Sequence, residues 1–102
     1  MHARHVAIRI KSGEVPRARD IFNEGALPAL AAQPGFRGAC LLADEASGEG
    51  AIVILWERAE DSQRLEAAGF YKEQIARFAQ VFAAPPQPAL MQVQVWSIGE
   101  TP

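Results

Sequence analysis

Cysteine is almost absent from this 102-residue sequence, since Cys40 is its single cysteine. One cysteine excludes an intrachain disulfide and any zinc site that needs several cysteines. A reducing, cytoplasmic location is therefore expected. Histidine is nearly as scarce, with His2 and His5 close together near the start. No spacing of histidines and acidic residues indicates a metal site, so no metal is expected.

Basic residues are not in excess, because ten Lys and Arg stand against twelve Asp and Glu, a formal net charge of −2. A nucleic-acid-binding domain of this size normally carries a basic stripe, so that class of partner is not expected. Long apolar runs are missing as well. The longest covers residues 51–56, far short of the roughly 20 residues that span a bilayer. The sequence therefore predicts no membrane segment.

Apolar residues make up 49% of the chain, and their spacing predicts four strands and three helical segments. Val6, Ile8 and Ile10 fall on one face of a strand, and His5, Ala7 and Arg9 fall on the other. A kink in the first helix is expected between Glu24 and Pro28. The predicted elements are a strand over residues 5–11, a helix over 15–32, strands over 36–43 and 51–57, helices over 59–68 and 70–82, and a strand over 90–98.

This βαββαβ order predicts an α+β, ferredoxin-like fold with a four-stranded antiparallel sheet and helices on one face. We expect one domain over residues 1–102, with its core in 5–98 and a loose tail at 99–102. The third strand is apolar on both faces, although helices can cover only one of them. A second copy that packs sheet to sheet is the simplest cover, so a homodimer that closes into an α/β barrel is predicted.

The chain resembles the antibiotic biosynthesis monooxygenase-like family of the dimeric α/β-barrel superfamily. The resemblance spans residues 6–98 and implies a ferredoxin-like subunit that dimerises into a barrel. The best-known activity of that family is the cofactor-free oxygenation of quinol- or anthrone-like aromatics. Four motifs carry the resemblance: Lys11-Ser12-Gly13, Leu27-Pro28-Ala29-Leu30 leading into Gln33-Pro34-Gly35-Phe36-Arg37-Gly38, Leu55-Trp56-Glu57, and Ala67-Ala68-Gly69-Phe70-Tyr71.

The resemblance also assigns positions to the oxygenase pocket. Trp56 matches the family's tryptophan at the end of strand three. The family's tyrosine, six residues downstream, falls on Ser62, and its asparagine, four residues before the tryptophan, falls on Ile52. Two of the three pocket positions therefore differ from the oxygenase pattern.

A second branch of the family degrades haem with an asparagine, a tryptophan and a histidine. Those positions fall near Val6, Leu65 and Ile75, and none of the three residue types is present there. Haem degradation by that route is therefore not expected. No motif indicates a binding site for a flavin or a haem, so no cofactor is expected.

Five residues are candidates for a ligand pocket, each with a structural alternative. Trp56 could stack on a planar ligand or be a core tryptophan. Tyr71 could donate its hydroxyl to a ligand or anchor the start of the last helix. His5 could be a general base, or a polar residue facing water or the dimer. Phe78 and Phe82 have helical spacing, so they belong first to the core and second to a pocket.

Three further residues carry structural expectations. Arg9 needs an acceptor, and a pair with Glu or Asp across the dimer is preferred over an anionic ligand. Cys40 lies in the middle of a strand, where a buried free thiol is expected to be inert. Trp96 is expected to pack in the barrel or the interface.

Two functions follow from these residues. The first is a cofactor-independent monooxygenase acting on a small aromatic quinol or phenol, with Trp56 lining the site. The alternative is a non-catalytic dimeric barrel that binds a small apolar ligand or serves as a stress-response or accessory protein. Trp56 favours the first function, whereas Ser62 and Ile52 favour the second.

Overall fold

The computed structural model describes residues 1–99. Its strands form one antiparallel sheet in the order β2-β3-β1-β4, which confirms the predicted α+β, ferredoxin-like class. In these residues no helix has the length and apolar character needed to cross a membrane. The elements are β1 (His2–Arg9), α1 (Val15–Ile21), a π-helical turn (Phe22–Ala26), α2 (Leu27–Ala31), β2 (Phe36–Ala43), β3 (Glu49–Trp56), α3 (Ala59–Ala67), α4 (Phe70–Ala76) and β4 (Gln87–Gln92).

The alternation in β1 divides the sheet into an inner face, covered by helices, and an outer face. Val6 and Ile8 are buried on the inner face, as predicted, and Val6 pairs with Ile52 of β3. His5 pairs with Val53 on the outer face. Successive side chains of a strand point to opposite sides, so every residue of the sheet is placed by this register. The core therefore lies between the inner face and the helices.

The predicted kink in the first helix is a π-helical turn, Phe22–Ala26. One α-helical turn takes 3.6 residues, so a four-residue repeat drifts by about 40° per step, and the wider π turn corrects this drift. Gly25 in this turn leaves room for Arg77, whose Nη1 would lie 2.8 Å from a β-carbon there. The residues buried at intervals of four are Ala18, Phe22, Ala26 and Leu30.

Gly35 connects α2 to β2 in a conformation that only glycine adopts readily. Its φ is +84°, and a β-carbon there would overlap the carboxylate of Asp61. That carboxylate accepts a hydrogen bond from the backbone N–H of Arg58 at 3.0 Å and so caps α3. The turn at Gly35 therefore also supports the next helix.

The last helix is shorter than predicted: α4 ends at Ala76 and not at Phe82. The chain after α4 pairs with the end of β1: Lys11 N–H donates to the Val81 carbonyl at 2.8 Å. Phe82 forms an isolated antiparallel bridge with Ile10. Backbone groups committed to this pairing cannot continue a helix.

The last strand was predicted over residues 90–98, but β4 is Gln87–Gln92. Pro88 is tolerated because β4 is an edge strand and needs no N–H on its open side. The strand stops where its partner stops, since Gln92 lies opposite His2 at the start of β1. Trp96 therefore follows the sheet and is 55% exposed. Of the predicted loose tail, residues 100–102 lie outside the described residues.

Cys40 is exposed, so the prediction of a buried thiol was wrong. It pairs with Val53, which places its side chain on the outer face, where no helix covers it. Arg9 finds its acid within the chain: its Nη2 lies 2.6 Å from Glu49 Oε1. The two residues are cross-strand neighbours at the end of β1.

Candidate functional site

A cavity of about 330 Å³ lies between the inner face of the sheet and the helices. The volume is at the low end of the range for small-molecule sites, about 300–1,000 Å³. The π turn widens the helix opposite the sheet, and the alternation of β1 and β3 supplies branched side chains below it. The apolar walls are Val6, Ile52 and Ile54 from the sheet and Phe22, Ala26 and Leu30 from the helix.

Arg4 brings a positive charge to one end of this cavity. It lies two residues before Val6 and therefore faces the helices. Its guanidinium carbon is 3.7 Å from the centre of the Tyr71 ring, the geometry of a cation–π contact. Its Nη1 is 3.2 Å from Glu66 Oε2, and the Arg4 side chain is only 12% exposed. The arginine is thus held between an aromatic face and a carboxylate.

Tyr71 and Ser62 join the two helices beside the cavity. The Tyr71 hydroxyl is 2.7 Å from Ser62 Oγ, and both residues are buried. Burial raises the pKa of Tyr71 above its ordinary value of 10.0, while the hydrogen bond to Ser62 and the charge of Arg4 act in the opposite direction. The hydroxyl is therefore protonated at neutral pH.

Gln74 lies one helical turn after Tyr71 and also lines the cavity. Its Oε1 accepts a hydrogen bond from Arg77 Nε at 2.8 Å. This contact fixes the side-chain amide and leaves its NH₂ group as a donor. Lys72 adds a second cation to the lining.

The structure brings together at the cavity three of the predicted pocket aromatics. Tyr71 and Phe78 line it. Phe82 lies behind Phe78, with ring centres 4.9 Å apart and planes 10° apart. Tyr71 also lies in the first turn of α4, the position at which it was predicted to anchor the start of the last helix.

Trp56 and His5 are placed elsewhere. Trp56 is fully buried on the inner face, and its ring meets Phe36 edge to face with centres 6.0 Å apart. It is absent from the lining of this cavity. His5 lies on the outer face of the sheet, opposite Val53 and Ala89.

Three of the six positions assigned through the resemblance line the cavity. Ile52, Val6 and Ile75 line it, and Ser62 is one hydrogen bond away through Tyr71. Leu65 is buried in the core. The resemblance therefore identified the place of the cavity, although the side chains differ from the family's pattern.

Arg4, Lys72 and Gln74 line the cavity but were not predicted to do so. A strand start at residue 5 left Arg4 outside the sheet, whereas β1 begins at His2. Extending the alternation of Val6 and Ile8 by one step would have placed Arg4 on the inner face. Lys72 and Gln74 carry no such signal, because polar residues in a helix ordinarily face water.

Comparison with known proteins places the fold. No family model matches the chain, and no curated protein matches it. Solved structures do match. A Streptomyces coelicolor monooxygenase in complex with nanaomycin D has a TM-score of 0.76 at 14% identity, over 97% of this chain and 92% of that one. The Mycobacterium tuberculosis haem degrader MhuD, with two haems in its active site, has a TM-score of 0.71 at 25% identity, over 97% and 100%.

A Bordetella bronchiseptica protein, assigned by its name to the antibiotic biosynthesis monooxygenases, has a TM-score of 0.73 at 20% identity. The match covers 92% of this chain and 98% of that one. The chain therefore has the fold of antibiotic biosynthesis monooxygenase-like proteins.

The residues around the cavity do not fit an axially ligated haem. Haem iron is held by histidine, cysteine, methionine or tyrosine. Within residues 1–99, Tyr71 is the one residue of these types in the lining, and its hydroxyl is hydrogen bonded to Ser62. The donor set favours an organic ligand.

Proposed function

We propose that this chain is a cofactor-independent monooxygenase that oxygenates a small aromatic phenol or quinol in the cavity beside Tyr71. One observation carries the proposal: an apolar cavity of about 330 Å³ with a guanidinium at one end. The likeness to a monooxygenase that binds nanaomycin D supports an aromatic ligand. Apolar walls suit a ring, and the cation suits the oxygen of a phenolate.

The reaction needs only the substrate and O₂. A hydrogen-bearing ring carbon ortho or para to the phenolic oxygen loses its hydrogen and gains one oxygen atom, which gives a quinone, and the second oxygen atom leaves as water. The substrate supplies all four electrons. Deprotonation prepares this step, because the anion gives up electrons more easily than the neutral phenol.

The protein's contribution is to bind and to deprotonate. Arg4 stabilises the phenolate and so lowers the substrate's pKa. Glu66, whose side chain is 58% exposed, takes the phenolic proton and passes it to solvent. The apolar walls keep water from the reacting ring.

Trp56 and Phe82 stay proposed pocket residues as supports of its wall. Phe82 holds the ring of Phe78, and Trp56 fills the sheet side beside Phe36. A Trp56→Phe substitution retains an aromatic ring there and is expected to lower turnover while the protein stays folded.

The test is oxygen uptake with a panel of anthrones and hydroquinones. Ala26→Leu places a larger side chain in the cavity and should reduce uptake at least about tenfold, or 1.4 kcal/mol in the barrier. Ala31→Leu, on the exposed side of the same helix, is the matched control and should leave uptake unchanged. Uptake no faster than autoxidation in buffer, across the whole panel, would exclude the oxygenase function for these substrates.

A non-catalytic binding protein is the second candidate. It is favoured by the groups around the cavity, since no histidine in residues 1–99 lines the cavity and the Tyr71 hydroxyl already has a partner. Stoichiometric binding of the same aromatics without oxygen uptake would support this function over the first.

A homodimer completes the proposal. Leu42 and Met91, 54% and 51% exposed, share the outer face with Val53 and His5. A second copy that packs there would bury these side chains and give His5 a role as a polar contact. Sedimentation at micromolar concentration should give twice 11.1 kDa, and a monomer's mass would contradict the proposal. The free thiol of Cys40 suits the reducing cytoplasm, which we propose as the location.

A further inference from the structure

The charged groups around the cavity are unbalanced. Arg4 and Lys72 are cations, and Glu66 is the one carboxylate among the described residues of the lining. Glu66 is committed to Arg4 at 3.2 Å. Within residues 1–99, no acidic group lies within 4.0 Å of the Lys72 ammonium. The cavity therefore carries an excess positive charge.

The guanidinium of Arg4 also has unused hydrogen-bonding capacity. A guanidinium presents five N–H donors in a planar fork. Glu66 lies against Nη1, whereas the buried Nε has no acceptor among residues 1–99. Donors left unsatisfied in a buried place are costly, and an acceptor that arrives with a ligand removes part of this cost.

Gln74 extends the same chemistry. It is 8% exposed and lines the cavity, and its oxygen is already bonded to Arg77. What it offers to a ligand is its NH₂ group. Arg4, Lys72 and Gln74 are thus all donors, and a ligand that is itself only an acceptor matches them.

We propose that the natural ligand of this cavity is an aromatic acid, whose carboxylate is bound by Arg4, Lys72 and Gln74 while its ring lies between the apolar walls. Oxygenation of this acid would rest on the proposed function, whereas its binding in the cavity does not. A carboxylate is planar and acceptor-only, which matches the guanidinium fork that lies over the Tyr71 ring. A phenolate oxygen alone would use only part of this donor set, so Arg4 can meet both the carboxylate and the phenolate of an aromatic acid that carries both groups.

The binding test uses 2-naphthoate and 2-naphthamide, which have the same shape and differ in charge. Titration calorimetry under nitrogen should show 2-naphthoate binding at least about tenfold more tightly, which equals 1.4 kcal/mol. Equal affinities for the two compounds would overturn the proposal. Because neither compound can be oxygenated as a phenol, a failure of the oxygenase function leaves this result unaffected.

Three variants locate the preference. Lys72→Gln, at an exposed position, should lower the affinity for 2-naphthoate several-fold and leave 2-naphthamide unchanged. Arg4→Gln should abolish the preference, and circular dichroism reports whether it is folded. Arg17→Gln on α1 removes an exposed cation outside the lining and is the matched control. The assignment would be contradicted if Arg17→Gln lost as much affinity for 2-naphthoate as Lys72→Gln. It would also be contradicted if Lys72→Gln and a folded Arg4→Gln both kept the original affinity for 2-naphthoate.

Discussion

The hydroxyls of Tyr71 and Ser62 lie 2.7 Å apart in the interior, where the two residues are 5% and 2% exposed. This hydrogen bond joins the first turn of α4 to α3 and fixes the ring over which Arg4 lies. The cation at the cavity therefore depends on a contact between two neutral groups behind it.

Removal of either hydroxyl should destabilise the protein, because the other is left buried without its partner. Tyr71→Phe and Ser62→Ala are each expected to lower the free energy of unfolding by about 1–3 kcal/mol. The double variant should lose clearly less than the sum of the two. Urea unfolding of the four proteins measures the coupling, and strictly additive losses would mean that the hydroxyls do not interact.

The pKa of Tyr71 can be measured directly, because it is the single tyrosine of the chain. Burial raises this pKa above 10.0, so tyrosinate absorbance should appear at higher pH in the folded protein than in the urea-unfolded protein. The folded state keeps its proton where the unfolded state has lost it. This contribution to stability is therefore complete below pH 10 and is lost as pH rises through the folded pKa.

A tyrosinate absorbance curve that coincides in folded and unfolded protein would contradict that direction. Tyr71→Phe provides the matched control for stability, since its free energy of unfolding should lack this alkaline decrease.

Gly35→Ala should be among the most damaging single substitutions. It places a β-carbon against the capping carboxylate of Asp61, and the fold holds the new alanine at a positive φ, which is strained for a residue with a β-carbon. Gly13→Ala imposes a similar φ of +78° in open space and is the matched control. We expect the first variant to lose about 0.5–2 kcal/mol more than the second, the value of a lost cap, in urea unfolding. Equal losses would show that Asp61 simply moves aside.

Cys40 offers a test of the dimer. Its thiol is exposed in the subunit, on the face where a second copy is proposed to pack. Labelling by Ellman's reagent should therefore be rapid in dilute native protein and should slow as the protein concentration rises. A labelling rate that is independent of concentration across the range in which sedimentation reports a dimer would contradict sheet-to-sheet packing.

Much of the fold could be predicted from the chain, because its signals are local. The alternation in β1 assigned Val6 and Ile8 to the core, and β2 was predicted with its observed ends. The errors lie where hydrogen bonding between segments that are far apart in sequence sets the end of a helix or strand. The bridge of Phe82 with Ile10 ends the last helical region, and the start of β1 ends β4.

The cavity was harder to predict than the sheet. Aromatic residues drew attention to Trp56, yet the polar end of the cavity depends on Arg4, whose importance comes from the strand register and from Tyr71 across the helix layer. Such a contact joins residues that are far apart in sequence, so no local pattern signals it. The resemblance indicated where the cavity lies, but the polar side chains that line it could be identified only from the packing of the folded chain.

The π turn gives the cavity an unusual dependence on chain length. It holds one residue more than an α-helical turn would need, and Asn23 within it is exposed. Deletion of Asn23 would let the helix close into a regular one. Ala18 and Ala26 would then be seven residues apart, close to two α-helical turns, so Ala26 and Leu30 would still face the sheet. The wall would lose only the extra width of the π turn. The width of one wall of the cavity thus depends on a residue that never touches it.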